Sequence, residues 1–371
     1  MKPFRKANGR SWCAADLRTQ ARSRLHSPRV RARRPMLTEI NAHCYETRLS
    51  GLYAITMPTP FPVGDVFAYL ALGKGSAPLT LIDCGVRTDE ARAALQAGLA
   101  ACGVAFRDIE RLIITHHHTD HLGFAAEIAA ESDAEICAHQ LCRPWLEQPE
   151  PTRRAFDAYL RPIFRQGGVP EEVIAGIERI SAYLGSFVQP ARVTRTLAEG
   201  DQVELLGKVW QVYHTKGHAG DLLCLYEPES RVLLSSDHLL RDISSNPLLE
   251  PPEAPDQPRP QRLLDYLAEL QRIAQLDIQV AYPGHGAPVT NVPQLVEGRL
   301  AMHAERAERL RALCAEQPRT LYELVQLLFP HLRQPEMFLA LSEVLGHLDL
   351  LVRDGKAFAE WRDGVAYWQA A

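Results

Sequence analysis

The sequence predicts an α/β fold with a helical insert and a small α+β module at its C-terminal end. Three observations carry that expectation. Short β-branched runs alternate with helical stretches from residue 37 to about 286. Residues 143–192 interrupt the alternation with two helices in succession. After residue 298 the pattern becomes helix, helix, helix and hairpin.

The 371 residues are 46% hydrophobic and 23% charged, room for a large core and one or two smaller units. No apolar run reaches the roughly 18–20 residues of a membrane span, so no membrane association is expected. The formal charge of −4 is uneven: residues 1–36 hold 11 Lys and Arg against one acid, Asp16. The leader lacks the apolar stretch of a secretory signal. It reads as a disordered tail or as sequence upstream of a true start at Met36, ahead of a transit peptide. The acidic remainder argues against strong nonspecific nucleic-acid binding. Eight cysteines without a Cys-x-x-Cys pair read as small buried hydrophobes in a reducing compartment, and the cytoplasm is expected.

In chain order, strands are expected at 52–56, 66–72 and 79–85, with a stiff proline turn at 58–62 and a Gly-Lys-Gly-Ser turn at 73–76. Residues 88–101 read as an amphipathic helix opening on Asp89 and Glu90. Residues 112–114 are a buried strand running into Thr115-His116-His117-His118-Thr119-Asp120-His121, and 122–128 open a helix. A strand follows at 135–139, where His139 reads as structural. Helices at 151–165 and 170–184 either cap the site and choose the substrate or serve packing alone. Strands at 209–214, 232–237 and 278–283 come next. The last segment holds helices at 296–314, 321–328 (capped by Thr320 with Glu323 completing a capping box) and 335–351, then a hairpin of 357–361 and 364–368.

Chemistry concentrates at strand ends. Four histidines and an aspartate within six residues are costly to bury unless something coordinates them. His116 and His118 are two apart, so on an extended backbone both reach one cation, and Asp120 and His121 can reach a second. Imidazole with carboxylate suits Zn²⁺. Four residues cannot fill two sites, so further ligands are expected downstream.

The pattern His116-x-His118-x-Asp120-His121 resembles the signature of the metallo-β-lactamase superfamily, with His117 at a variable position. Thr215-Lys216-Gly217-His218 is similar to the family's Thr-Pro-Gly-His loop, Lys216 replacing proline and placing a cation at the rim. Ser236-Asp237 resembles its Gly-Asp motif with Ser for Gly, and Pro283-Gly284-His285-Gly286 presents His285. Ile82-Asp83-Cys84-Gly85 is similar to its Ile-Asp-x-Gly strand end. The resemblance implies a four-layer αββα sandwich over residues 37–298, with 143–192 as its insert. It implies His116, His118 and His218 on one ion, Asp120, His121 and His285 on another, and Asp237 bridging them. Asp83 would lie beneath the metals and hold the loop. His214 and His238, next to ligands in strands, are expected to point away or to support the ligands from outside. Residues 299–371 look like the winged-helix module of winged-helix-tailed relatives. Residues 337–348 lack Lys and Arg, so that module reads as structural or dimerising rather than nucleic-acid binding.

The resemblance implies a hydrolase with two Zn²⁺ per chain (iron or manganese as alternatives), whose shared hydroxide attacks an ester, thioester or lactone of a small metabolite, with Asp120 accepting the proton. The core is also similar to glyoxalase II, although the C-terminal segment differs. Rival readings are a nuclease acting on single-stranded nucleic acid and a mononuclear iron enzyme of the persulfide dioxygenase type using His116, His218 and Asp237. A non-catalytic binding module fits least, since every ligand is present.

Overall fold

The computed structural model describes residues 36–254 and 256–371; the expected leader lies, but for Met36, outside the described residues. The first sheet runs in sequence order through β1 (Leu37–Asn41), β2 (Cys44–Thr47), β3 (Leu52–Met57), β4 (Val66–Ala71), β5 (Thr80–Ile82), β6 (Arg111–Ile113), β7 (Glu135–His139) and β8 (Arg195–Leu197). It is antiparallel up to β5 and parallel from β5 to β8. The second sheet has β9 (Gln202–Leu205), β10 (Lys208–His214), β11 (Leu223–Glu227) and β12 (Val232–Ser236) in an antiparallel meander, and β13 (Val280–Pro283) parallel to β12.

Parallel neighbours need crossovers, and helices supply them. These are α1 (Asp89–Ala101), then α2 (Thr119–Leu122) with α3 (Ala125–Glu131), then the insert of α4 (Arg143–Glu147), α5 (Pro149–Gln166) and α6 (Glu171–Gly185), and finally α7 (Arg262–Ile273). The chain ends with α8 (Val292–Glu316), α9 (Leu321–Leu328), α10 (Met337–Arg353) and the hairpin β14 (Ala357–Arg362) and β15 (Val365–Ala370).

Side-chain alternation builds four layers. In β6, Leu112 packs with Leu95, Leu99 and Ile128 of the helices outside the first sheet, while Ile113 packs between the sheets with Trp210, Leu225 and Tyr282. In β12, Leu234 faces that same interior, and Leu233 faces Leu263, Leu270 and Leu310 outside the second sheet. The layers are therefore helix, sheet, sheet, helix, the αββα sandwich expected from the sequence. Each buried leucine contributes roughly 1.5–3 kcal/mol by leaving water.

Local chemistry sets the boundaries. Thr88 accepts from Ala91 N at 3.2 Å and starts α1. Thr320 and Glu323 form the expected reciprocal cap of α9. The helix expected over 122–128 is two, broken at Gly123, where a Cβ would meet Arg87 N at 2.5 Å and Gly85 O at 2.6 Å. Helix α8 begins at Val292 rather than 296, capped by the Asn291 side chain on Gln294 N, and runs unbroken through residue 298, where the sequence suggests a domain boundary. Among the described residues no helix is long and apolar enough to cross a membrane.

Candidate metal centre

The site lies where parallel strands end, the usual place for ligands in such sheets. Asp83 follows β5, residues 115–121 follow β6, Asp237 follows β12 and His285 follows β13, while His218 sits on the turn between β10 and β11. Two backbone positions are strained to achieve this. Asp83 has φ +60° and Ser236 has φ +43°, both in the left-handed region. The register between β12 and β13 also shifts between Leu234 and Ser236, re-aiming the following Asp237. Ser236 thus occupies a conformation that suits glycine, and its hydroxyl is held by Thr115 Oγ1 at 2.8 Å.

Seven side chains expected as ligands converge. His118 Nδ1 is 3.0 Å from His116 Nε2 and 2.9 Å from His218 Nε2, so three imidazole nitrogens surround one point. Beside it, Asp120 Oδ2 is 3.3 Å from His285 Nε2, and Asp120 Oδ1 is 3.9 Å from His121 Nε2. Asp237 reaches across: Oδ1 lies 3.5 Å from His121 Nε2, and Oδ2 lies 3.5 Å from both His218 Nε2 and His285 Nε2. A Cβ on Gly284 would sit 2.2 Å from Asp237 Oδ1, so only glycine leaves the carboxylate its place.

The outer nitrogens fix the tautomers. His121 Nδ1 donates to Asp83 Oδ2 at 2.8 Å, His218 Nδ1 to Asn246 O at 3.0 Å, and His285 Nδ1 to Asp65 O at 2.8 Å. Each partner can only accept, so each Nε2 turns a lone pair inward. Asp83 also takes Thr115 N and Thr115 Oγ1, both at 2.8 Å, and ties β5 to the metal loop. It therefore contacts the ligand cluster through the outer nitrogen of His121. His121 Nε2 and Asp237 Oδ1 are buried with no hydrogen-bond partner. Buried polar atoms without partners are costly, and a cation between these donors removes that cost; the donor set fits one.

Electrostatics agree. Burial pushes His116, His118 and His218 below the ordinary imidazole range, which keeps them neutral. Burial acts the same way on His121 and His285, but the neighbouring carboxylates together outweigh it, Asp237, Asp83 and Asp120 at His121 and Asp237 with Asp120 at His285, and raise both. Burial pushes Asp120 up, yet His121 and His285 hold it down at about 2, and Asp237 is held well below the carboxylate range.

Two histidine clusters lie outside the ligand set. His117 points away from the centre: its Nδ1 meets Asp221 Oδ1 at 2.8 Å, and its ring stacks on Trp145 at 4.5 Å. The His117–Asp221 contact ties the 116–121 and 217–221 loops together, and Glu250, which takes Gly220 N at 3.0 Å and Arg262 Nε at 2.7 Å, fastens the second loop to α7. In the C-terminal part, His303 Nδ1 lies 3.1 Å from His347 Nε2, and His347 Nδ1 donates to Glu343 O at 2.7 Å. Glu343 is also paired with Arg306, so this group's donors are already used. His214 stacks on His139 at 4.0 Å and bonds Gly220 O at 2.7 Å, supporting the His218 loop without joining the ligands. His238 is buried edge-on to Tyr266. Lys216 is close enough to His139 and His214 for its charge to disfavour their protonation.

Sequence reasoning missed Asn246 as well. Its carbonyl holds His218, and its Nδ2 donates to Leu339 O of α10 at 2.9 Å. Ser245 Oγ donates to Asp237 O, and Arg299 of α8 donates to Leu240, Arg241 and Ile243 carbonyls at 2.7–3.1 Å. The C-terminal helices thereby hold the segment that supports two ligands.

Known proteins are similar to this chain over most of its length. Residues 62–285 match the model of the metallo-beta-lactamase superfamily, and 307–371 match that of the metallo-beta-lactamase-like C-terminal domain. A probable metallo-hydrolase of Bacillus subtilis is 38% identical over 317 residues, 85% of this chain and 97% of that protein. A thioesterase of Emericella nidulans is 24% identical over 288 residues, 77% of this chain and 64% of that protein. The crystal structure of a metallo-beta-lactamase family protein from Thermus thermophilus superposes with a TM-score of 0.74 at 31% identity, covering 87% of this chain and 99% of that one.

Proposed function

The chain belongs to the metallo-β-lactamase superfamily and is a metal-dependent hydrolase, and we propose that it holds two divalent cations, zinc foremost, and cleaves an ester, thioester or lactone of a small metabolite. The carrying observation is the pair of three-donor groups that share Asp237. His116, His118 and His218 would hold one cation, and Asp120, His121 and His285 the other. Bound there, divalent cations would supply an activated water, its pKa lowered towards about 7, and polarisation of the substrate oxygen.

The chain's own residues supply the rest. Asp83, Asn246 and Asp65 orient imidazoles, so the donors are in place before substrate arrives. Asp120 is ionised and borders both His121 and His285, so its carboxylate can take the proton of the attacking water. A thiolate leaves with a pKa of about 8.5, so a thioester needs no strong proton donor. That chemistry supports a thioester as the first substrate to try, and the similarity to a protein named a thioesterase is in keeping with it.

The nuclease reading finds less support. Helix α10, which would be the recognition helix of a winged-helix module, is buried from Ala340 to Leu351. No face of that stretch is free to enter a groove.

The test is a panel of an acyl thioester, a lactone and single-stranded RNA at fixed salt, with wild type and Asp120→Ala, alongside metal analysis. About two zinc per chain and thioester turnover lost by 10²-fold or more in the variant are expected. Turnover unchanged in the variant, or a single iron per chain, would overturn the reading.

A further inference from the structure

A continuous line of aromatic rings leaves the metal centre on one side and returns to it on another. The His117 ring lies 4.9 Å from that of the ligand His118, and Trp145 of α4 stacks on His117 at 4.5 Å and 15°. Phe156 of α5 meets Trp145 edge-on at 5.4 Å, and Phe338 of α10 meets Phe156 edge-on at 6.0 Å. The residue after Phe338 is Leu339, whose carbonyl is held by Asn246, and Asn246 in turn holds the ligand His218. The arc is therefore pinned to two ligands of the same three-imidazole group.

Trp145, Phe156 and Phe338 are each only half-buried, whereas Phe164, 6.4 Å behind Phe338, belongs to the core. Three separate segments thus bring partly open rings together along an arc whose two ends are tied to His118 and His218, a surface that takes apolar groups.

We infer that Trp145, Phe156 and Phe338 form a wall that binds the uncharged, apolar acyl chain of the substrate. This rests on the acyl-hydrolase reading above and names the part of the substrate that this chain selects. The wall is built by the insert and α10 together, so both additions to the sandwich act in specificity.

The experiment measures kcat/KM on acyl thioesters of one thiol, from acetyl to decanoyl, with the zinc-loaded full chain. Each methylene placed on the wall is expected to raise kcat/KM about fourfold, the effect of burying one CH₂. Phe338→Ala and Trp145→Ala should each lower the decanoyl-to-acetyl ratio at least tenfold. In parallel, an S-decyl thioether of the same thiol, which cannot be hydrolysed, should quench tryptophan emission in wild type but much less in Trp145→Phe. That titration decides the matter if the alanine variants fail to fold. Thioesters hydrolysed at equal kcat/KM whatever their length would overturn the wall and leave the hydrolase reading standing. No thioester turnover with Trp145-dependent quenching would support the wall and remove the thioesterase reading. Neither turnover nor quenching would overturn both.

Discussion

Asp83→Asn isolates the device that aims His121. The carboxylate accepts three hydrogen bonds, from Thr115 N, Thr115 Oγ1 and His121 Nδ1, each at 2.8 Å. An amide has the same shape and tolerates the φ of +60°, since Asn is among the residues that enter the left-handed region most readily. It has only one acceptor oxygen, however. The backbone N–H of Thr115 cannot change its role, so the oxygen must stay there, and the NH₂ then faces His121 Nδ1. To avoid two opposed donors, the imidazole moves its proton to Nε2, the atom that should face the metal. The expected loss is about 10–100-fold in affinity for the ion beside Asp120, or about 1.4–2.7 kcal/mol. Chelator competition followed by metal analysis should show one ion removed well before the other, with the far-ultraviolet circular dichroism unchanged. Two ions held with wild-type affinity in Asp83→Asn would refute the tautomer argument.

Three further outcomes are expected. Asn246→Ala removes the bond to Leu339 O and loosens the support of His218, so the ion held by His116, His118 and His218 should bind several-fold more weakly in the same competition, with Asn246→Gln restoring part of it. Gly284→Ala forces a methyl within 2.2 Å of Asp237 Oδ1 and should abolish binding of both ions; isothermal titration with zinc checks this. His303 is held at about 3 by burial, while in the unfolded chain it titrates near 6.5, so below pH 6.5 the unfolded state binds a proton that the folded state does not. Stability is complete above pH 6.5 and falls by up to about 1.4 kcal/mol per pH unit below it, roughly 2 kcal/mol by pH 5. The gap in urea midpoint between wild type and His303→Asn should therefore narrow from pH 7 to pH 5; a constant gap would refute it.

The candidate ligands were legible because each sits at a strand end, where an apolar run and a turn mark its place in the linear order. The same holds for Thr320 and Glu323, whose cap is entirely local. What the sequence hid depends on distant partners. Asp221 lies three residues from His218 and looks like any loop acid until His117, 104 positions away, meets it. Asn246 carries no motif, and its role exists only because α10 passes beside it. Helix α7 went unread although Tyr266 and Leu270 are among its most buried residues; its charged outer face and a proline-rich approach at 251–260 blurred its start. Strands β8, β9 and β11 are only three to five residues long, too short for periodicity to separate from loop. The true start of α8 could have been found from Asn291 followed by Pro293 in the first turn.

Helix α8, 25 residues and about 37 Å long, is a splint shared by both halves of the chain. Arg299 on its first turns grips the segment behind Asp237, and Arg306, two turns later, grips Glu343 of α10. These two grips tie the loop behind Asp237 to α10 through one continuous helix. The insert α4 to α6, by contrast, hangs from the chain between β7 and β8 alone in sequence, so adjusting its position leaves that splint intact.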